Sequence, residues 1–173
     1  MLFSNDYFRV YRLTDEVGAE YGVAIKNVIA VAAGVLSGIG YGDNTKAALM
    51  TRGIAELTRL GEALGGKPET FSGLTGVGDL IVTCTSVHSR NRKAGYLMGK
   101  GMTAEEAMKE VKMVVEGVYS AKAALGLAKK CNVAVPIVEA VNRVLFENAD
   151  PKEEVSNLLL RERKQEHTNL EWN

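Results

Sequence analysis

The sequence lacks most features that mark secreted, metal-binding and nucleic-acid-binding proteins. Its 173 residues include two cysteines, Cys84 and Cys131, which form neither a CxxC pair nor part of a metal-ligand cluster. The 21 basic and 21 acidic residues balance, so no overall charge attracts nucleic acid or an anionic membrane. We therefore predict no disulfide framework, no metal site and no nucleic-acid partner, and we expect both cysteines in the core of a protein from a reducing compartment.

Segments that would direct the chain to a membrane are also missing. The opening MLFSNDYFRVYRL has no basic stretch followed by an apolar core, which a signal peptide requires. The longest apolar run, residues 28–36, is far shorter than the roughly 20 residues of a membrane span. We expect a cytoplasmic protein without a membrane span, whose length suits one compact domain with a single core.

Helix signals dominate the rest of the chain, and the predicted fold class is all-α. Residues 15–37 are rich in alanine and valine and apolar nearly all round, which is typical of a central helix surrounded by others. Capping and turn residues predict further helices, with residues 111–118 left ambiguous. These helices are placed at about 43–64, from 68, from 79, 89–98, from 103, 120–130, 136–146 and 151–165.

One short segment does not fit this helical pattern. Residues 8–11, FRVY, alternate apolar and polar side chains and predict a strand with no obvious sheet to join. Because a strand needs partner strands to be stable, a neighbouring domain is expected beside it. We predict a connector at residues 1–14 and a helical domain at 15–173, with a frayed tail from about residue 166.

A lysine interrupts the most apolar helix of the chain. Lys26 lies within GVAIKNVIAVAAGVL and shares a helix face with small residues, including Ala30 and Ala33. A buried ammonium without a partner is costly, so Lys26 needs either a structural carboxylate or a function. Both alternatives stay open at this point: a buried structural ion pair, or a proton acceptor that burial prepares for catalysis.

Two other segments concentrate groups that could act with Lys26. Asp79 follows a glycine-rich turn and precedes an apolar run, so it is either a helix N-cap or a partner for a buried cation. The turn SVHSRNRK, residues 86–93, gathers cations at a predicted helix start, where an anion such as phosphate is favoured. An ordinary solvated basic turn is the alternative. The chain contains no GxGxxG fingerprint and no P-loop.

The order FRVY, AIKNVIAVAAG, NTKAALMTRG, GLTGVGDLIVTCTS, SRNR and VVEGV resembles bacterial NAD(P)-dependent glycerol-3-phosphate dehydrogenase, in its C-terminal half. The resemblance implies a helical domain of the 6-phosphogluconate dehydrogenase C-terminal-like type. It also implies interconversion of sn-glycerol 3-phosphate and dihydroxyacetone phosphate with NAD or NADP, which supplies phospholipid precursors. Two departures are mild: AIKN stands where GALKN is common, and GVGD where GLGD is common.

The resemblance also implies roles for individual residues. Lys26 corresponds to the family's proton acceptor and Asp79 to a second catalytic residue, and both also contact the substrate. The remaining matches are Asn27, Thr83, Ser89, Arg90 and Asn91 for the substrate, and Arg90, Val114 and Glu116 for the cofactor.

The resemblance does not include the family's N-terminal Rossmann domain. The expectation is that FRVY is a remnant strand of that domain, that Met1 begins a truncated chain, and that this chain alone is inactive. A homodimer is left open. Two other functions stay open as well: a non-catalytic helical interaction module, and the helical domain of a sister hydroxyacid dehydrogenase.

Overall fold

The computed structural model describes residues 3–162. Within them lie nine α-helices and one π-helical turn, and no strand, so the all-α fold class is confirmed. The helices are α1 (Glu16–Ile39), α2 (Asp43–Ala63), α3 (Pro68–Ser72), α4 (Asp79–Thr85), α5 (Arg90–Gly99), α6 (Ala104–Val111), α7 (Glu116–Cys131), α8 (Pro136–Phe146) and α9 (Pro151–Leu159). The π-helical turn, Leu74–Gly78, leads directly into α4.

The predicted strand at residues 8–11 does not form. Phe8 and Tyr11 are exposed, and the described part of the chain offers no second strand with which this segment could pair. The alternating pattern alone cannot hold a strand, because the backbone N–H and C=O groups must find partners on a neighbouring strand.

Helix α1 is the centre of the domain, as its composition predicts. It begins after Asp15, whose carboxylate accepts the Gly18 N–H at 2.9 Å, and ends at Gly40 in the left-handed conformation with φ of 106°. Helices α2, α4, α5 and α7 surround it. From Ile25 to Leu36 nearly every residue of α1 is buried, which explains why apolar residues continue around the helix there.

Small residues allow α1 and α5 to pack with their backbones in contact. A Cβ atom added at Gly34 would lie 2.1 Å from the Arg92 carbonyl oxygen, and one at Gly95 would lie 2.0 Å from the Val31 carbonyl oxygen. Glycine is therefore required at both positions for this approach. The neighbouring face of α1, which carries Ala30 and Ala33, packs against α4.

Helix α1 is also long and apolar enough to cross a membrane by length and composition, because it continues beyond the apolar run of residues 28–36. However, 72% of its most apolar window is buried inside the domain. That burial is what the central helix of a globular core shows.

Several predicted boundaries need correction. Helix α2 has Gly42 as its N-cap without a side-chain cap, and Asp43 instead pairs with Lys46 at 2.7 Å. Helix α7 begins four residues before the predicted start at Ser120. Helix α9 ends at Leu159 rather than near residue 165, and the predicted frayed tail lies outside the described residues. The helices beginning at Arg90 and Ala104 carry the predicted Ser89 cap and Thr103 capping box.

Candidate active site

Lys26 lies in the interior, as predicted, and it has a carboxylate partner. It is 8% exposed on α1, and its Nζ forms an ion pair with Asp79 Oδ2. The Asp79 side chain keeps 32% of its surface exposed, so the pair lies at the edge of the core rather than at its centre. The charge of the buried ammonium is thereby compensated while the pair stays open to solvent on one side.

Helix α4 presents two groups to Lys26. Asp79 is its first residue and Thr83 follows one turn later, so both lie on the same face. Lys26 Nζ donates to Thr83 Oγ1 at 3.3 Å, and Thr83 Oγ1 donates to the Asp79 carbonyl oxygen at 2.6 Å. The Asp79 carboxylate forms no N-cap bond. The geometry therefore supports the second interpretation of Asp79, as the partner of a buried cation.

The next residue along α1, Asn27, joins three helices. Its Oδ1 accepts from Asn91 Nδ2 of α5 at 2.9 Å, and its Nδ2 donates to Glu116 Oε2 of α7 at 3.2 Å. Asn91 Oδ1 in turn accepts the Gly117 N–H at 2.8 Å. Asn27 and Asn91 are both buried, and this chain of amides fixes the starts of α5 and α7 beside Lys26.

The predicted phosphate turn lies at the start of α5. Ser89 is the N-cap and accepts the Arg92 N–H at 3.2 Å, and the Arg90 side chain is 40% exposed. Ser89 and Arg90 thus lie at the surface, whereas Asn91 points into the interior. The Nε atom of Arg92 is buried without a hydrogen-bond partner.

Glu116, one of the predicted cofactor residues, contacts this turn through Arg90. Its Oε1 lies 3.8 Å from Arg90 Nη2, and its side chain is 57% exposed. Val114, two residues earlier in the link between α6 and α7, is 60% exposed. All three side chains therefore reach solvent. Glu116 is also close to Lys26, because it accepts a hydrogen bond from Asn27, the next residue along α1.

A family comparison identifies the domain that carries these residues. The model of the NAD-dependent glycerol-3-phosphate dehydrogenase C-terminus matches residues 15–156. The chain belongs to this family. The assignment favours the helical domain of glycerol-3-phosphate dehydrogenase over that of a sister hydroxyacid dehydrogenase.

Individual relatives agree with the family assignment. Glycerol-3-phosphate dehydrogenase [NAD(P)+] of Agathobacter rectalis is 65% identical over 99% of this chain and 51% of its own length. The protein of the same name from Fusobacterium nucleatum is 61% identical over 95% and 49%. The crystal structure of glycerol-3-phosphate dehydrogenase from Coxiella burnetii has a TM-score of 0.88 and 40% identity, over 91% of this chain and 49% of that one. The chain thus spans about half the length of its glycerol-3-phosphate dehydrogenase relatives.

The site of this dehydrogenase domain contains a link that the residue pattern does not predict. The sequence gives no sign that Asn91 would bond to Asn27 and to the Gly117 backbone, because such a link depends on how three helices pack. The close approach of α7 to α1 does require a glycine in the sequence. A Cβ atom at Gly117 would lie 2.5 Å from the Asn27 carbonyl oxygen.

Two further buried groups have raised pKa values. A large groove runs between α2, α8 and α9, and it contains none of the predicted site residues. Glu56 lines this groove, and burial raises the pKa of its carboxyl to about 7. Burial also raises the pKa of the Cys84 thiol to about 12, so Cys84 is an inert core residue rather than a nucleophile.

Proposed function

We propose that this chain is the substrate-binding and proton-transfer half of a glycerol-3-phosphate dehydrogenase. The observation that carries the proposal is the partly exposed Lys26–Asp79 ion pair, whose neighbour Asn27 connects through Glu116 to the guanidinium of Arg90. A proton donor and a phosphate-binding cation, linked here through Asn27 and Glu116, are the two groups that a phosphorylated ketone or secondary alcohol requires.

In this proposal Lys26 handles the proton of the reacting oxygen. During reduction of dihydroxyacetone phosphate, the Nζ ammonium gives a proton to the carbonyl oxygen as C2 receives a hydride. In the reverse direction the neutral amine takes the proton from the C2 hydroxyl as the hydride leaves. NAD or NADP, when bound, supplies or accepts that hydride.

The partners of Lys26 orient its proton. Asp79 and Thr83 both contact Nζ from α4, so two of its hydrogen-bond directions are fixed. Thr83 cannot turn freely, because its hydroxyl also donates to the Asp79 carbonyl oxygen. Fixed donors of this kind lower the cost of reorganisation when charge develops on the substrate oxygen.

The start of α5 is the proposed phosphate site. Ser89 and Arg90 supply the surface groups there, and the free N–H groups of the first helical turn favour an anion. Asn91 and Asn27 contribute by holding this turn against α1, with one N–H of Asn91 available beyond its bond to Asn27.

Three residues fit a cofactor on the same face. The exposed carboxylate of Glu116 and guanidinium of Arg90 offer hydrogen bonds to a dinucleotide, and exposed Val114 offers an apolar contact. These residues would hold only one side of NAD or NADP. We propose that a Rossmann domain holds the rest, with residues 1–14 as the connector to it, and that the chain alone transfers no hydride.

Exposed apolar side chains on the segment that carries Asp79 and Thr83 support a covering domain. Leu74, Ile81 and Val82 lie on the π-helical turn and α4, which carry Asp79 and Thr83, and they are 68%, 47% and 56% exposed. Clustered exposed apolar residues are typical of an interface. A cytoplasmic location and a homodimer stay predictions.

Titration of the chain with sn-glycerol 3-phosphate, followed by NMR, tests the phosphate site. Removing one charge-assisted contact with Arg90→Ala should weaken binding by about tenfold. Arg52→Ala on α2 is the matched control, because Arg52 is exposed but lies outside the site. Equal affinity of the unmodified chain and Arg90→Ala would contradict the proposal.

A further inference from the structure

Glu116 lies between two residues of the proposed site. Its two carboxylate oxygens have different partners: Oε1 faces Arg90 Nη2 at 3.8 Å, and Oε2 accepts from Asn27 Nδ2 at 3.2 Å. In the proposed function Arg90 binds the substrate phosphate, and Asn27 helps to hold the phosphate-binding turn against α1. A carboxylate at this position presents oxygen atoms where a phosphorylated substrate would present its own.

The arrangement makes Glu116 a competitor for the phosphate-binding arginine. Arg90 has Glu116 as its ion-pair partner among residues 3–162. A phosphate dianion that approaches Arg90 must share that guanidinium with a carboxylate of the same charge sign. At separations near 4 Å, such like charges repel by about 1 kcal/mol even when fully hydrated.

Glu116 is free to yield its place. Its side chain is 57% exposed, and the Arg90 contact is too long to be a direct hydrogen bond. Helix α7 stays fixed without it, because the bond from Gly117 N–H to Asn91 Oδ1 holds the helix start independently at 2.8 Å. The carboxylate can therefore move while the backbone of the site keeps its geometry.

We propose that Glu116 is a specificity-determining gate, which holds Arg90 when the site is empty and releases it only to a strongly charged anion. This inference rests on the proposed function. A dianionic phosphate ester can displace the carboxylate, whereas a monoanionic carboxylic acid of similar size gains too little from Arg90. The gate thereby rejects small hydroxyacids that lack a phosphate.

Binding of two ligands to three chains tests the gate. The ligands are sn-glycerol 3-phosphate and glycerate, and the chains are unmodified, Glu116→Gln and Glu153→Gln. Glu153 is exposed on α9, so its variant is the matched control for the loss of one negative charge. Glu116→Gln should bind sn-glycerol 3-phosphate about five times more tightly, and it should gain measurable glycerate binding.

The outcomes separate the gate from the function on which it rests. Tighter binding by Glu116→Gln, with no change in Glu153→Gln, supports the gate. Unchanged or weaker binding by Glu116→Gln overturns it, as does the absence of binding to every chain. If Arg90→Ala weakens binding but Glu116→Gln changes nothing, the gate alone fails. If Arg90→Ala binds as the unmodified chain does, the proposed phosphate site fails as well.

Discussion

Replacing Glu56 with glutamine should remove a large pH dependence of stability. The Glu56 carboxylate is 3% exposed on α2 and accepts the backbone N–H groups of Ile137 and Val138 at the start of α8. Desolvation raises the pKa of this carboxyl from 4.5 to about 7, against the opposing effects of these N–H donors and of Arg59 and Arg161. Desolvation therefore raises this pKa by more than the N–H donors of α8 and the two arginines lower it.

The size and sign of the effect follow from this pKa. Because the folded protein holds the Glu56 proton more tightly than the unfolded chain, stability is highest below about pH 4.5 and falls as the pH rises to about 7. At about 1.4 kcal/mol per pH unit, the total loss is about 3 kcal/mol. Glutamine keeps an acceptor for the Ile137 N–H but carries no charge, so Glu56→Gln should lack this decline.

Urea unfolding of both chains from pH 4.5 to pH 8 measures the difference. The two should be similarly stable at pH 4.5, and Glu56→Gln should be more stable at pH 8, by up to about 3 kcal/mol. Glu62→Gln, an exposed change on the same helix, controls for the lost charge. A stability difference between Glu56→Gln and the unmodified chain that stays constant with pH would refute the reasoning. It would mean that the N–H donors of α8, not desolvation, set the ionisation of Glu56.

Two further predictions concern packing and ion pairs. Gly34→Ala should lower the free energy of unfolding by about 1–3 kcal/mol, because its Cβ would meet the α5 backbone. Gly126→Ala, which meets nothing within 4 Å, should instead stabilise α7 by up to about 1 kcal/mol, and equal effects in chemical denaturation would count against this packing. Arg143→Met should cost about 1–3 kcal/mol, because Arg143 holds the buried Glu154 through two bonds, of 2.6 and 3.0 Å. Adding Glu154→Leu should recover most of that loss in the same assay, and a failure to recover would show that the unpaired charge is not the cause.

The sequence predicts the helices well because their signals are local. Proline and capping residues set the starts of α6, α8 and α9, and these signals act within one helical turn. The strand at residues 8–11 fails for the opposite reason, since a strand depends on partners elsewhere. The sequence predicts helix ends less accurately, because a helix can end at any of several neighbouring residues.

In the candidate site, too, the sequence predicts some features, whereas others depend on how distant helices pack. An apolar helix with a single lysine predicts that Lys26 needs a partner, and motif order identifies Asp79, but neither predicts their contact. The bonds among Asn27, Asn91 and Gly117 depend on the packing of three helices and leave no periodic signal. The sequence does not predict the burial of Glu56 either, because its partners are backbone N–H groups about 80 residues away.

The most direct test of the central claim is the turnover of Lys26→Met in a dehydrogenase that joins this domain to a nucleotide-binding domain. Methionine keeps the length of the buried stem but cannot carry the proton, so kcat should fall by about 10²- to 10⁴-fold with the melting temperature little changed. Lys129→Met, at the far end of α7, is the control for a lost lysine and should leave kcat unchanged. Near-normal turnover by a folded Lys26→Met enzyme would contradict the assignment of Lys26 as the proton-transfer group.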